Sequence, residues 1–256
     1  MRLVSLTCSN TEIVCALGRA DWLVGVDDHS DYPEEVVSKL ARVGKDLNVE
    51  PDKVAALKPD LVLASLTVPG HDKVVASLEA KGLPLEVLQP LSLEDTYRDI
   101  LRIGELLKVP ERAATLVAEM RAVVDDRPAD LAYRPKVLVE WWPKPVIGAG
   151  LKSWVHDMLD AAGAVNALGH RDCESTPLTD EEICEIGPDM VVISWCGVPT
   201  SHYRPEVVYR REAWADVPAI RNRQVHCISE AFLGRPGPRV VEGILALRSL
   251  VKAYGS

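Results

Sequence analysis

The feature that most constrains the fold is a repeat. Residues 52–65, Asp52-Lys53-Val54-Ala55-Ala56-Leu57-Lys58-Pro59-Asp60-Leu61-Val62-Leu63-Ala64-Ser65, align without a gap to residues 181–194, Glu181-Glu182-Ile183-Cys184-Glu185-Ile186-Gly187-Pro188-Asp189-Met190-Val191-Val192-Ile193-Ser194. Each copy reads acid, charged residue, branched apolar residue, two residues, apolar residue, one residue, Pro-Asp, four apolar residues and a serine. A short helix broken by Pro-Asp and followed by a continuous apolar run is an α-then-β unit of a parallel sheet covered on both faces. Two copies predict two similar lobes.

The rest of the chain alternates in the same way. Strands are expected at residues 2–6, 23–26, 61–64, 85–88, 136–140 and 224–228. Between them lie helices: one opened by a Ser9/Glu12 capping box and stopped by Gly18, one from Asn48 to Leu57, and others at residues 71–81, 153–162 and 238–254. Residues 92–133 hold no strand candidate. They read as helix from Leu93 to Leu107, a break at Val109-Pro110, and a second helix from Glu111 to about Asp126 or on toward Asp130. A helix of that length spans about 30 Å, the width of a small domain, and carries the chain from lobe to lobe as a stiff hinge. The expected organisation is an N-terminal α/β lobe at 1–108, a linking helix at 109–134 and a C-terminal α/β lobe at 135–256, with mostly parallel sheets. The stretch through Pro143, Pro145, Gly148 and Gly150 reads as a loop.

Composition excludes several classes of function. A formal charge of -9 with no basic run argues against a nucleic-acid partner. No apolar run approaches the roughly 18–20 residues of a membrane span, and Met1-Arg2 passes straight into a strand without a signal-peptide pattern. As written, the chain is cytosolic, or it is a mature form whose export signal lies outside it. Six cysteines without a Cys-x-x-Cys read as small reduced hydrophobes. Ile147-Gly148-Ala149-Gly150 lacks the third glycine and the distal acid of a dinucleotide fingerprint. There is no Gly-x-Ser-x-Gly, and the His and Cys spacings match no zinc ligand pair.

The aromatics are more informative. With one Phe the chain still has six Trp. Trp141, Trp142, Trp195, Tyr32, Tyr203 and Tyr209 all fall in expected loops at the C-terminal ends of strands, the edge where open α/β sheets bind ligands. Such a set suits a large, flat, partly apolar ligand. His29 and His202 are candidate ligands for a metal centre within it, and Glu230 and Arg235, after the last strand, for hydrogen bonds to its polar rim.

At this point the chain resembles the substrate-binding proteins of ABC importers for vitamin B12, ferric siderophores and haem, the type with a helical backbone (class III), and most closely the vitamin B12-binding branch. The resemblance rests on Arg2 to Gly18, Leu23-Val-Gly-Val26, Ser30-Asp-Tyr-Pro33, Ala56-Leu-Lys-Pro-Asp-Leu-Val-Leu63, the helical middle and the Gly-Arg-Pro-Gly-Pro-Arg239 region. It implies two Rossmann-like lobes joined by one long helix, with a ligand cleft between them. It places Tyr32 and Trp141 as aromatic contacts, and Glu230 and Arg235 near an Asp/Arg pair. Asp52 and Glu181 match the acidic residues that dock each lobe on arginines of the permease. Cys8 stands where the branch usually has Pro, and Asp46 and Ser65 stand where it has two tryptophans.

The function implied is therefore non-catalytic. It is capture of a corrinoid (cobalamin-like) ligand or a related metal chelate, and delivery, as a monomer, to the permease and ATPase of an ABC importer. A ferric-siderophore or haem binder is the alternative within the class. From another class, the alternative is a cytosolic metallocofactor-handling or enzymatic protein that shares the fold. Export makes the protein periplasmic or cell-surface; Met1 as the true start makes it cytoplasmic.

Overall fold

The computed structural model describes residues 1–128 and 133–255. Its contacts divide the chain into two compact units, Met1–Pro90 with Glu94–Glu119, and Leu91–Leu93 with Met120–Ser256.

In chain order the first unit holds β1 (Leu3–Ser5), α1 (Cys8–Ala16), β2 (Leu23–Val26), α2 (Glu34–Val37), β3 (Ala41–Arg42), a small hairpin of β4 (Gly44–Lys45) and β5 (Asn48–Val49), α3 (Pro51–Ala56), β6 (Leu61–Ser65), α4 (His71–Glu79) and β7 (Leu85–Leu88). Helices α5 (Leu93–Leu106) and α6 (Pro110–Asp125) follow, and the division between the units falls inside α6. The sheet order is β3-β2-β1-β6-β7 with every pairing parallel. Parallel pairing explains why β1 and β6 are buried at every residue and read as apolar runs.

The second unit holds β8 (Lys136–Pro143), β9 (Val146–Ala149), α7 (Trp154–Ala161), β10 (Val165–Asn166), β11 (Ser175–Leu178), α8 (Asp180–Ile186), β12 (Met190–Ile193), α9 (Pro205–Tyr209), α10 (Pro218–Arg221), β13 (Val225–Cys227), α11 (Glu230–Leu233) and α12 (Val240–Tyr254). Its sheet runs β11-β9-β8-β12-β13, with β10 also on β8. β8, β12 and β13 pair in parallel, while β9 is antiparallel to both β8 and β11.

The repeat is realised atom for atom. β6 lies between β1 and β7, and β12 lies between β8 and β13. The Asp of each Pro-Asp latches its strand to the start of the neighbouring one. Asp60 Oδ2 accepts the Arg2 N–H at 2.6 Å while the Asp60 N–H donates to Arg2 O; Asp189 Oδ2 accepts the Lys136 N–H at 2.7 Å while the Asp189 N–H donates to Lys136 O. The cation at each strand start reaches back to the helix end. Arg2 Nε donates to Leu57 O and Lys136 Nζ to Ile186 O, where the C-terminal carbonyls of α3 and α8 lack helical partners. The intervening residue turns the chain through a left-handed conformation, Lys58 at φ 48° and Gly187 at φ 55°. Val54 and Ile183 anchor the two helices, both completely buried in their own unit's core. Each such side chain contributes roughly 1.5–3 kcal/mol by burial.

Four expectations are corrected. Trp141 and Trp142 do not lie in a loop beyond a strand but within β8, which runs on to Pro143. The stretch through Gly148 is β9, and β11 with its Pro177 forms an unexpected edge strand, a place where the missing N–H costs no ladder bond. α1 starts at Cys8 behind Thr7, so Ser9 is inside the helix rather than its cap. α6 ends at Asp125; its expected run toward Asp130 enters residues 129–132, which lie outside the described residues.

Candidate functional site

In the first unit, the C-terminal ends of β1, β2, β3 and β6 carry an ordered set of polar groups. The loop after β2 is built on Asp27, fully buried, whose carboxylate accepts the His29 N–H (2.8 Å), the Ser30 N–H (3.1 Å) and the Ser30 hydroxyl (2.6 Å). Burial pushes its pKa up while those hydrogen bonds pull it back. Arg42 Nη1 donates to Asp27 O and Ser30 O, both at 2.7 Å, and Thr11 Oγ1 meets Ser30 Oγ at 2.9 Å. The loop is thereby fixed from three elements. Tyr32 projects from it, 48% exposed.

Beside this loop, the β4–β5 turn presents Asp46. Its Oδ1 accepts the Leu47 N–H at 2.8 Å and lies 3.5 Å from His29 Nε2; its Oδ2 lies 3.8 Å from His71 Nε2. The His71 imidazole is the main influence that holds the Asp46 carboxyl below its ordinary pKa, against partial desolvation. Thr7, between β1 and α1 at the same edge, has φ 81°, a costly conformation for a β-branched residue of the kind that gathers at functional sites.

In the second unit, the same edge is aromatic. Trp141 stacks on Trp154 with ring centroids 5.8 Å apart, and Trp154 Nε1 donates to Leu233 O. Trp142, the next residue of the strand, is 43% exposed. Trp195 and Tyr203 meet edge to face at 5.6 Å and are both buried, with the Tyr203 hydroxyl donating to Trp195 O and accepting the Glu230 N–H. Burial raises the Tyr203 pKa, so the phenol stays neutral. His202 is exposed on the loop after β12.

Three expected residues have other surroundings. Tyr209 stands at the opposite end of the sheet, its hydroxyl accepting the N–H of Val225 at the start of β13, with the Arg223 guanidinium over its ring. Glu230 and Arg235 do form a pair, at 3.3 Å, but with each other. Arg235 is buried there, and an added Cβ on Gly234 would meet Glu230 Cγ at 2.8 Å, so the glycine makes room for the pair.

Glu140, not among the residues expected at this edge, also belongs to it. This carboxylate is fully buried at the end of β8's parallel segment, accepting Trp195 Nε1 at 2.9 Å and a fork from Arg211 at 2.5 and 2.8 Å. Arg211 lies over Trp214, 4.3 Å from the centroid, and Trp214 Nε1 donates to Asp180 Oδ1. A lone charge inside the otherwise apolar run 137–142 is its signature in the sequence.

Asp52 and Glu181 occupy the second helical position of α3 and α8. Asp52 is 86% exposed and bridged by Lys81 at 2.6 Å. Glu181 rides on a helix start fastened by the Thr179/Glu182 capping box. Both acids sit where the helix dipole favours negative charge.

Residues 3–231 match the periplasmic binding protein family. The chain belongs to that family. An ABC transporter substrate-binding lipoprotein of Bacillus subtilis (strain 168) is 32% identical over 251 residues, 95% of this chain and 77% of that protein. A vitamin B12-binding protein of Vibrio cholerae (strain ATCC 39541) is 25% identical over 246 residues, 95% of this chain and 86% of its own length. Among solved structures, the periplasmic haem-binding protein RhuT of Roseiflexus sp. RS-1 superposes with a TM-score of 0.85 at 27% identity, covering 100% of this chain and 99% of that one. This periplasmic binding protein is thus a non-catalytic solute-binding component of the ABC transporter class. The enzymatic alternative is closed.

Proposed function

We propose that the protein captures a corrinoid and delivers it to the permease of an ABC importer, acting on the outer side of the cytoplasmic membrane. The observation that carries this reading is the pairing of an aromatic ligand edge with two acids at matched places in a duplicated scaffold. Trp141 and Tyr32 are the proposed ring contacts. Stacked and exposed aromatics on a rigid sheet end suit a wide, flat, partly apolar ring. Asp52 and Glu181, both at exposed helix starts, are the proposed docking residues for cationic side chains of the permease. The vitamin B12-binding relatives support a corrinoid.

Haem is the second reading, favoured by the likeness to the haem-binding structure from Roseiflexus. Titration of the purified protein with cyanocobalamin, haem and ferric hydroxamates, followed by Trp fluorescence, separates the two. The corrinoid reading predicts quenching at micromolar cyanocobalamin or below. Saturable binding of haem or a ferric chelate, with none of cyanocobalamin, would sink it.

A further inference from the structure

We propose that Asp46, seated between His29 and His71, is a charge filter on the ligand edge of the first unit, accepting hydrogen bonds from neutral amide groups on a tetrapyrrole's rim and repelling rims that carry carboxylates. The inference rests on the tetrapyrrole-binding reading above and names the ligand class within it.

Three separate segments bring the cluster together. His29 follows β2, Asp46 follows β3 by way of β4, and His71 follows β6. All three strands are joined through β1 in one parallel sheet, so all three residues belong to its C-terminal edge, beside the exposed Tyr32. His71 is 3% exposed. Its Nδ1 accepts the Val68 N–H at 3.3 Å, so in the neutral ring Nε2 carries the hydrogen, and that buried atom faces Asp46 Oδ2 with no hydrogen-bond partner among the described residues. His71 therefore backs the carboxylate from the protein side, and the Leu47 N–H fixes its rotation.

A purely structural ion pair would close these gaps to about 2.8 Å. The separations of 3.5 and 3.8 Å leave the carboxylate short of close donors. Among the described residues the Leu47 N–H makes the one hydrogen bond to it, and its side chain is 29% exposed. An ionised carboxylate offers about four acceptor sites, so Asp46 keeps acceptor capacity for a ligand group on its exposed side. The rim of a corrinoid carries amides, which donate; the rim of haem carries two propionates, which do not. Like charges brought together at a partly desolvated contact are strongly unfavourable, which makes the position a discriminator rather than a source of raw affinity.

Matched ligand pairs test this: dicyanocobinamide against cobyrinic acid, the same ring with carboxylates for amides, and haem dimethyl ester against haem. Affinities are measured by Trp fluorescence and calorimetry at low salt. The wild-type protein is expected to prefer the uncharged member by ~10-fold or more. Asp46→Asn, which keeps the shape and the Leu47 contact, shrinks that preference to within about threefold, and Asp46→Glu retains it; thermal melts of both variants establish that they are folded. An unchanged ratio in Asp46→Asn, or a wild-type preference for the carboxylate member, overturns the filter while leaving tetrapyrrole binding intact. Failure of the wild type to bind any of the four overturns the functional reading, and the filter with it.

Discussion

Lys58 and Gly187 hold the same left-handed backbone, φ 48° and 55°, at the same position of the two repeat copies. One copy meets the conformation with glycine; the other accepts a side chain in a region that costs an L-residue about 1–2 kcal/mol. Gly187→Lys is therefore expected to destabilise the protein by about 1 kcal/mol, whereas Lys58→Gly is neutral or slightly stabilising. Urea denaturation of the two variants checks this asymmetry.

The Glu140–Arg211 fork pins the start of the β8–β9 hairpin to the loop carrying Trp214. Arg211→Ala leaves a buried carboxylate without its partner, and the expected loss is about 3–5 kcal/mol. The double variant Glu140→Met/Arg211→Met removes both charges and should recover most of that loss. If Arg211→Ala alone loses less than about 1 kcal/mol in denaturant titrations, the ion pair is not the pin described.

Asp99, buried on α5 with Oδ2 unpartnered among the described residues, has its pKa pushed up to about 7, chiefly by desolvation, with Arg98 opposing and Asp95 and Glu86 adding to it. A carboxyl whose folded pKa exceeds its unfolded value favours the native state when protonated. Its contribution is full below about pH 4 and falls as pH rises through about 7. Asp99→Asn should thus raise stability above pH 7 by on the order of 1–3 kcal/mol and add little below pH 4. Melting temperatures of both proteins between pH 4 and 8 give the comparison.

Charge reversal at Asp52 and Glu181 addresses docking. In proteoliposomes carrying the cognate permease and ATPase, Asp52→Lys with Glu181→Lys should abolish ligand-dependent uptake while leaving ligand affinity in solution within about twofold. Each single variant should reduce uptake roughly tenfold, with a stronger dependence on ionic strength than the wild type. Lys81→Ala frees Asp52 from its 2.6 Å bridge and should leave uptake equal or faster.

Trp141 and Trp142 are neighbours on a strand, and only one of them stacks on Trp154. Trp141→Ala is expected to weaken corrinoid binding at least ~10-fold, and Trp142→Ala no more than about threefold. Equal losses in fluorescence titrations would show that both rings contribute alike.

The lobes were legible in the sequence because the repeat encodes its own contacts. Pro-Asp marks the latch of Asp60 to Arg2 and of Asp189 to Lys136, and the alternation of apolar runs with capped helices follows from parallel pairing. The β8–β9 hairpin was hidden because Pro143, Pro145, Gly148 and Gly150 are loop-forming residues by composition, and the strand there is defined by pairings such as Trp142 with Ile147 and Pro143 with Val146. The ligand edges were half visible. Tyr32 and the tryptophans stand out one residue at a time. Glu140 finds Arg211 at a separation of 71 residues, and Asp46 finds His29 and His71 across three loops, relationships that no local pattern carries.

Both copies of the repeat end on a serine at the same strand edge, Ser65 and Ser194, yet the side chains gathered along that edge are imidazoles and a carboxylate in one unit and indoles in the other. The repeat thus keeps one backbone plan while the side chains at its two sheet ends differ in kind, so a substitution at one end leaves the chemistry of the other as it is.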